Sequence, residues 1–278
     1  MSAIILDGKK LADEMLNTIQ SSKCAKKDLV IISIGDDPAS EVYVRNKIRA
    51  CAKCMTVCYH INLPANVLES KVNSIIDRFN EDPFVGGIIL QLPIPKHLNS
   101  RQLINRIKPE KDVDGLSLAN MGALYTGMPG HRPCTAEGVI RLLDFYHIET
   151  HGKHVVIVGR SELVGRPLAV LLSDKIRNAT VSLCNSRTSN LKELCKQADI
   201  LISAVGSPKL ITADMVKKDA IVIDVGINRD EKGKLCGDVD YENVKEIAYG
   251  ITPVPGGVGP LTVATLIYHL PFAPLKGD

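Results

Sequence analysis

Five short runs of branched apolar residues constrain this chain most strongly: Leu29–Ile34, Val85–Leu90, His154–Val158, Ile200–Ala204 and Ala220–Asp224. Each is too short for a buried helix and rich in β-branched side chains, so each predicts a strand. Two more strand-like stretches fall at Val57–Leu63 and Thr180–Leu183. Between them, helical patterns run over Ser40–Cys54, Val67–Phe79, Asn99–Ile107, Thr135–Tyr146, Val164–Ser173 and Leu191–Gln197, with a last helix from about Gly259 to Leu270. Strands that alternate with helices predict an α/β fold built on parallel sheets covered on both faces. Lys108–Pro133 is rich in Gly, Pro and Asp, which predicts loop interrupted by short structure and a domain boundary near residue 140.

Length and composition narrow the function classes. A chain of 278 residues holds two ordinary domains or one large one. With 45% hydrophobic and 23% charged residues it buries a core without help from a disulfide or metal. The net charge of +3 is small and the basic residues are scattered, so no nucleic-acid partner is expected. The N-terminal MSAIILDGKK is too short for a signal peptide or a membrane span, and no apolar run approaches eighteen residues. The expectation is a soluble, cytoplasmic protein with no membrane partner. Eight cysteines are then expected as reduced thiols. Cys51 and Cys54 form a lone CxxC near Cys58, with no second pair and no spaced histidines, so they read as small packing residues and no metal site is expected.

Several segments carry chemistry. The strand ending at Gly159 is followed by Arg160, Ser161 and, at the start of a helix, Gly165. Such a turn lets backbone N–H groups approach a pyrophosphate at the positive end of the helix. The full GxGxxG is absent, and a plain tight turn remains the alternative. The next strand ends in Asn185-Ser186-Arg187-Thr188, where an NAD site places a carboxylate for the ribose 2′-hydroxyl. Hydroxyls and guanidinium groups instead suit a 2′-phosphate, so NADP is favoured over NAD; Arg187 facing solvent is the alternative.

Tyr43 and Lys47 lie four apart on a predicted helix and share a face, a phenol beside an amine suited to acid–base work. A merely solvated lysine is the bland reading. Gln91 ends an apolar strand, where parallel sheets bind ligands. Asp112 and Asp114 stand in a loop that lacks further ligands at calcium-loop spacing, so a heterocycle's N–H groups suit them better than a metal. Thr252-Pro253-Val254-Pro255-Gly256-Gly257-Val258-Gly259-Pro260 is a stiff loop whose backbone can approach a flat ligand.

Seven of these segments jointly resemble the bifunctional methylenetetrahydrofolate dehydrogenase/cyclohydrolases: PASEVYVRNK (38–47), GIILQLPIP (87–95), KDVDG (111–115), PCTAEG (133–138), VGRSELVGRP (158–167), GDVD (237–240) and TPVPGGVGPLT (252–262). They run in the family's order across nearly the whole chain. The resemblance implies two α/β domains around a cleft. Residues 1–140, with a C-terminal helix in 260–278 returning to them, would bind folate and carry catalysis. Residues 141–259 would form a Rossmann-type parallel sheet binding NAD(P). It further implies a homodimer acting on tetrahydrofolate derivatives. By motif, Lys47 resembles the catalytic lysine, Tyr43 its neighbour, Gln91 the glutamine that contacts it and Asp114 the aspartate that holds the pterin. Leu90, Leu92, Pro255, Gly256, Gly257, Val258 and Gly259 match the folate lining. Gly159, Arg160, Ser161, Thr135, Ser186, Arg187 and Ile227 match cofactor contacts.

The chain departs from the family's usual pattern at Ala136, at Asn185 and in the cysteine-rich stretch after Lys47. The rival readings are a dehydrogenase-only member of the family, an unrelated α/β dehydrogenase, and a nucleotide-sensing module without turnover.

Overall fold

The computed structural model describes residues 3–22 and 26–272. In chain order the elements are β1 (Ile4–Ile5), α1 (Gly8–Ser21), β2 (Asp28–Ile34), α2 (Pro38–Lys53), β3 (Cys58–Leu63), α3 (Glu69–Glu81), β4 (Val85–Leu90), α4 (Ser100–Arg106), α5 (Leu118–Thr126) and α6 (Cys134–Phe145). There follow β5 (His154–Val158), α7 (Gly165–Ser173), β6 (Thr180–Cys184), α8 (Leu191–Gln197), β7 (Ile200–Ser203), β8 (Ile221–Asp224), β9 (Asn228–Arg229), β10 (Leu235–Cys236), α9 (Tyr241–Val244), β11 (Gly250–Ile251) and α10 (Val258–His269). No helix among the described residues is long and apolar enough to cross a membrane.

The chain divides into two compact units. One comprises residues 13–134 and those from 263 onward; the other comprises residues 1–12 and 135–262. These bounds differ from the expected 1–140 and 141–259 at three places, one of them residues 260–262, which fall with 135–259. The first twelve residues join the dinucleotide side because β1 pairs in parallel with β11. Nearly all of α6 belongs there as well. Of the expected C-terminal helix in 260–278, α10 accounts for residues up to His269, and 273–278 lie outside the described residues.

In the first unit three parallel strands run in the order β3-β2-β4. Side chains on successive strand residues alternate between faces. Val30 and Ile32 of β2 and Ile88 and Leu90 of β4 pack with Val72, Ile76 and Phe79 of α3 and with Leu103 of α4. The intervening Leu29, Ile31 and Ile89 are also buried, so both faces of the sheet are covered. Each such side chain contributes about 1.5–3 kcal/mol relative to exposure.

In the second unit six parallel strands run β1-β11-β8-β7-β5-β6. Val156, Val158, Leu201, Val222 and Ile251 form one core of this sheet. β9 and β10 form a separate antiparallel pair.

β8 ends in Asp224, 3% exposed, whose carboxylate accepts from the N–H groups of Gly226, Asp238 and Val239 at 2.9, 3.0 and 2.9 Å. Burial pushes its carboxyl up from 3.8 to about 6, against the pull of those N–H groups. The folded state therefore holds this proton more tightly than the unfolded chain. The stability so gained is complete below about pH 4 and is lost as pH rises through about 6. Asp224→Asn does not titrate. In chemical denaturation the stability of the wild type relative to this variant is expected to decline between those pH values, and a flat difference would contradict the assignment.

Candidate active site

The first unit gathers the acid–base candidates at the carboxyl end of its sheet. α2 follows β2 through Gly35, which sits at φ +85, and opens with Asp37 accepting from the Ser40 N–H at 2.8 Å. This cap sets the helix that carries Tyr43 and Lys47. Lys47 is 6% exposed, and its Nζ donates to Gln91 Oε1 at 3.0 Å. Gln91 extends the strand, its N–H donating to Ile32 O at 2.8 Å, while its Nε2 donates to Leu92 O at 2.9 Å. The amide is thereby oriented with its oxygen toward the amine. Tyr43 is half-buried, and burial pushes its phenol up, which keeps it a donor at neutral pH. Leu92 is half-buried, whereas Leu90 is 3% exposed and packs in the core.

The KDVDG segment divides its work in a way the sequence left open. Lys111 donates to Phe79 O, Asn80 O and Asp82 O at 2.9, 2.7 and 2.6 Å, closing the C-terminal end of α3. Asp112, 2% exposed, accepts from Ser117 N at 2.7 Å and Asn120 Nδ2 at 2.9 Å, and so builds the turn. Burial pushes its carboxyl up. Asp114 is only half-buried and takes no part in these contacts. Of the two carboxylates, it is Asp112 that forms the turn. The segment lies close to β4, since Lys111 O accepts from Ile88 N at 2.8 Å and a Cβ on Gly87 would meet Val113 Cγ2 at 2.8 Å.

The cysteines after Lys47 surround the same helix end. Cys51 and Cys54 are fully buried, Cys58 is half-buried, and all three are free thiols. A hydrogen bond from Cys51 to Cys58 pushes Cys51 up, burial adding to it, and holds Cys58 down. Cys24 lies outside the described residues.

The second unit carries the glycine turn. Gly159 sits at φ +118, and a Cβ there would lie 2.3 Å from Ala204 O. A Cβ on Gly165 would lie 2.0 Å from Gly159 O, so only glycine lets α7 pack this close to the strand end. Ser161 Oγ accepts from Val164 N at 3.1 Å at the mouth of that helix. β5 and β6 pair in register with Val158 opposite Cys184, which sets the Gly159–Ser161 and Asn185–Arg187 turns side by side. Arg160, Ser161, Ser186 and Arg187 are all exposed there. A bare glycine turn beside two guanidinium groups and two hydroxyls fits a phosphorylated dinucleotide.

The folate-loop candidates are held by an element that the sequence did not announce. A Cβ on Gly8, the first residue of α1, would lie 2.0 Å from Gly257 O, and Lys9 N donates to Gly256 O at 2.9 Å. Pro255 is exposed, Gly256 sits at φ +107, and Val258 is buried. Ile227, 44% exposed, approaches the Cβ position of Gly259 to 3.7 Å. Thr135 Oγ1 accepts from Thr262 Oγ1 at 3.1 Å.

Residues 6–114 match the tetrahydrofolate dehydrogenase/cyclohydrolase catalytic domain, and residues 133–273 match the NAD(P)-binding domain of the same family. The chain belongs to this family. Across this tetrahydrofolate dehydrogenase/cyclohydrolase, similarity to the bifunctional protein FolD of Streptococcus thermophilus reaches 46% identity, covering 99% of this chain and 100% of that protein. The crystal structure of the bifunctional FolD methylenetetrahydrofolate dehydrogenase/cyclohydrolase from Campylobacter jejuni is similar at a TM-score of 0.93 and 41% identity, covering 96% and 97% of the two chains. The Trypanosoma brucei methylenetetrahydrofolate dehydrogenase-cyclohydrolase, complexed with NADP and an inhibitor, is similar at a TM-score of 0.91 and 34% identity, covering 97% and 96%. Both parts of the family are therefore present in one chain, a bifunctional enzyme acting on tetrahydrofolate derivatives.

Proposed function

We propose that this enzyme oxidises 5,10-methylenetetrahydrofolate to 5,10-methenyltetrahydrofolate with NADP and hydrolyses the product to 10-formyltetrahydrofolate, with Lys47 moving the protons of the second step. The hydrogen bond from the buried Lys47 Nζ to Gln91 carries this reading. NADP, held by Gly159, Arg160, Ser161, Ser186 and Arg187, with Thr135 and Ile227 as further contacts, supplies the hydride acceptor of the first step. The chain's part in that step is to bind and orient both molecules. Asp114 accepts the N–H groups of the pterin, and the loop 255–259 lies along the folate.

In hydrolysis, water adds to the methenyl carbon of the cationic amidinium and loses a proton to the Lys47 amine. The hydroxyl of the tetrahedral adduct then gives its proton to solvent as the bond to N5 breaks and the formyl C=O forms; N5 takes back the proton held by the lysine, and the formyl group stays on N10. One proton is released overall. Gln91 orients the amine without adding an ionic partner that would hold the proton.

The proposal includes a homodimer in the cytoplasm, with no nucleic-acid or membrane partner. A spectrophotometric assay with methylenetetrahydrofolate and each dinucleotide, followed by methenyl decay, tests the chemistry. Reduction of NADP without methenyl decay leaves a dehydrogenase alone, and no reduction of either dinucleotide sinks the reading.

The cofactor preference has its own test. Arg160→Ala is expected to raise the KM for NADP about tenfold and to affect NAD less, since a charge-assisted contact contributes about 1.5–3 kcal/mol. Equal effects on both dinucleotides would remove Arg160 from the 2′-phosphate.

A further inference from the structure

One buried side chain of the second unit gathers two loops that the mechanism above uses only in passing. Asp238, in the GDVD segment, is fully buried. Its Oδ2 accepts from Ser203 Oγ at 3.1 Å, Val205 N at 2.8 Å and Gly206 N at 3.3 Å. Its Oδ1 accepts from Ser207 N at 2.8 Å and Asn228 Nδ2 at 2.9 Å. A buried carboxylate is costly unless its acceptor positions are filled, and this one is filled by donors from the segments after β7 and β8. The fit is tight, because a Cβ on Gly226 would lie 2.2 Å from the Asp238 carboxyl carbon.

Each of the two loops so held exposes one apolar side chain at the carboxyl end of the sheet. Val205 is 37% exposed and Ile227 44%. Val205 also flanks the glycine turn, since a Cβ on Gly159 would meet its Cγ1 at 3.4 Å. The strand order sets the direction of a bound dinucleotide. β6 lies on one side of β5 and carries Ser186 and Arg187, while β7 and β8 lie on the other. With the pyrophosphate on the turn after β5 and the 2′-phosphate on the β6 side, the remaining half must run toward β7 and β8.

We propose that Asp238 is a positioning residue for the dinucleotide: by clamping the 205–207 backbone and the Asn228 side chain it fixes Val205 and Ile227 as an apolar wall for the nicotinamide half. This inference rests on the proposed NADP function. Hydrolysis of methenyltetrahydrofolate uses no dinucleotide, so the full-length enzyme contains its own control. Asp238→Asn keeps the side-chain shape but turns an N–H group toward donors on one side. It is expected to raise the KM for NADP about tenfold while hydrolysis, measured without dinucleotide, changes by no more than about twofold. Val205→Ala alters the wall at an exposed position and leaves the carboxylate in place. It is expected to raise the KM for NADP about threefold, again without loss of hydrolysis.

An equal fall of both activities in Asp238→Asn assigns the residue to folding alone and overturns the proposal. So does an unchanged KM for NADP in Val205→Ala, which reads the wall even if Asp238→Asn does not fold. A wild type that reduces no NADP fails the functional reading itself. A wild type that reduces NADP, with variants that behave like it, fails only this inference.

Discussion

Replacing Lys47 by methionine is expected to abolish measurable hydrolysis of methenyltetrahydrofolate while some dinucleotide reduction persists, so that the methenyl compound accumulates. Methionine fills much of the same buried space, and Gln91 is half-buried, so water can replace the lost donor at its oxygen. The fold is thus expected to survive. What disappears is the proton carrier. A positioned acid–base group contributes about 10²–10⁴-fold to a step of this kind. Hydride transfer depends instead on bringing the methylene carbon against the nicotinamide, which a missing amine does not prevent. Lys47→Arg is expected to be nearly as damaging, because a guanidinium does not give up its proton. The check is to measure both rates and the substrate affinity on the same preparation. Activities that fall by one common factor at normal affinity would take Lys47 out of the proton transfer.

The second large effect is expected at Asp114. Asp114→Ala removes the acceptor proposed for the pterin's amino and ring N–H groups. Two charge-assisted hydrogen bonds of about 1.5–3 kcal/mol each correspond to about 10²–10⁴ in kcat/KM, lost from both reactions alike. Dinucleotide affinity should be unchanged. Asp112→Ala provides the contrasting signature. It strands the buried Ser117 N–H and takes one acceptor from the Asn120 amide, which keeps Pro109 O, so it is expected to lower Tm rather than folate affinity. If Asp114→Ala lowers Tm and binds folate normally, the two carboxylates have been assigned the wrong way round.

Local pattern and spacing determined a great deal here. β4 and β5 carry the bounds that their apolar runs predict, because a short run of β-branched residues between turn signals has few other ways to be buried. The Tyr43–Lys47 pair and the glycine turn were legible for the same reason: four residues on a helix, or a strand that ends in glycine, fix a geometry within one element. The seven ordered segments also identified the family before any fold was known.

Other features depend on chain segments far apart in sequence, and only the tertiary structure decided them. β1 and β11 are two residues each, too short to show a period, and they exist because they pair with one another and β11 pairs in turn with β8. α1 was not expected at all, yet its first residues hold the Gly256–Gly257 loop some 250 positions away. In KDVDG the three charged residues look equivalent in sequence. Burial against α3 and α5 makes Lys111 and Asp112 structural and leaves Asp114 outside their hydrogen-bond network. Asp238 likewise reads as one acid among many until Ser203, Val205, Gly206, Ser207 and Asn228 converge on it. Residue type and spacing determine which local geometries a segment can adopt. Which carboxylate is buried, and which donors reach it, follows only once the strands have been ordered into a sheet.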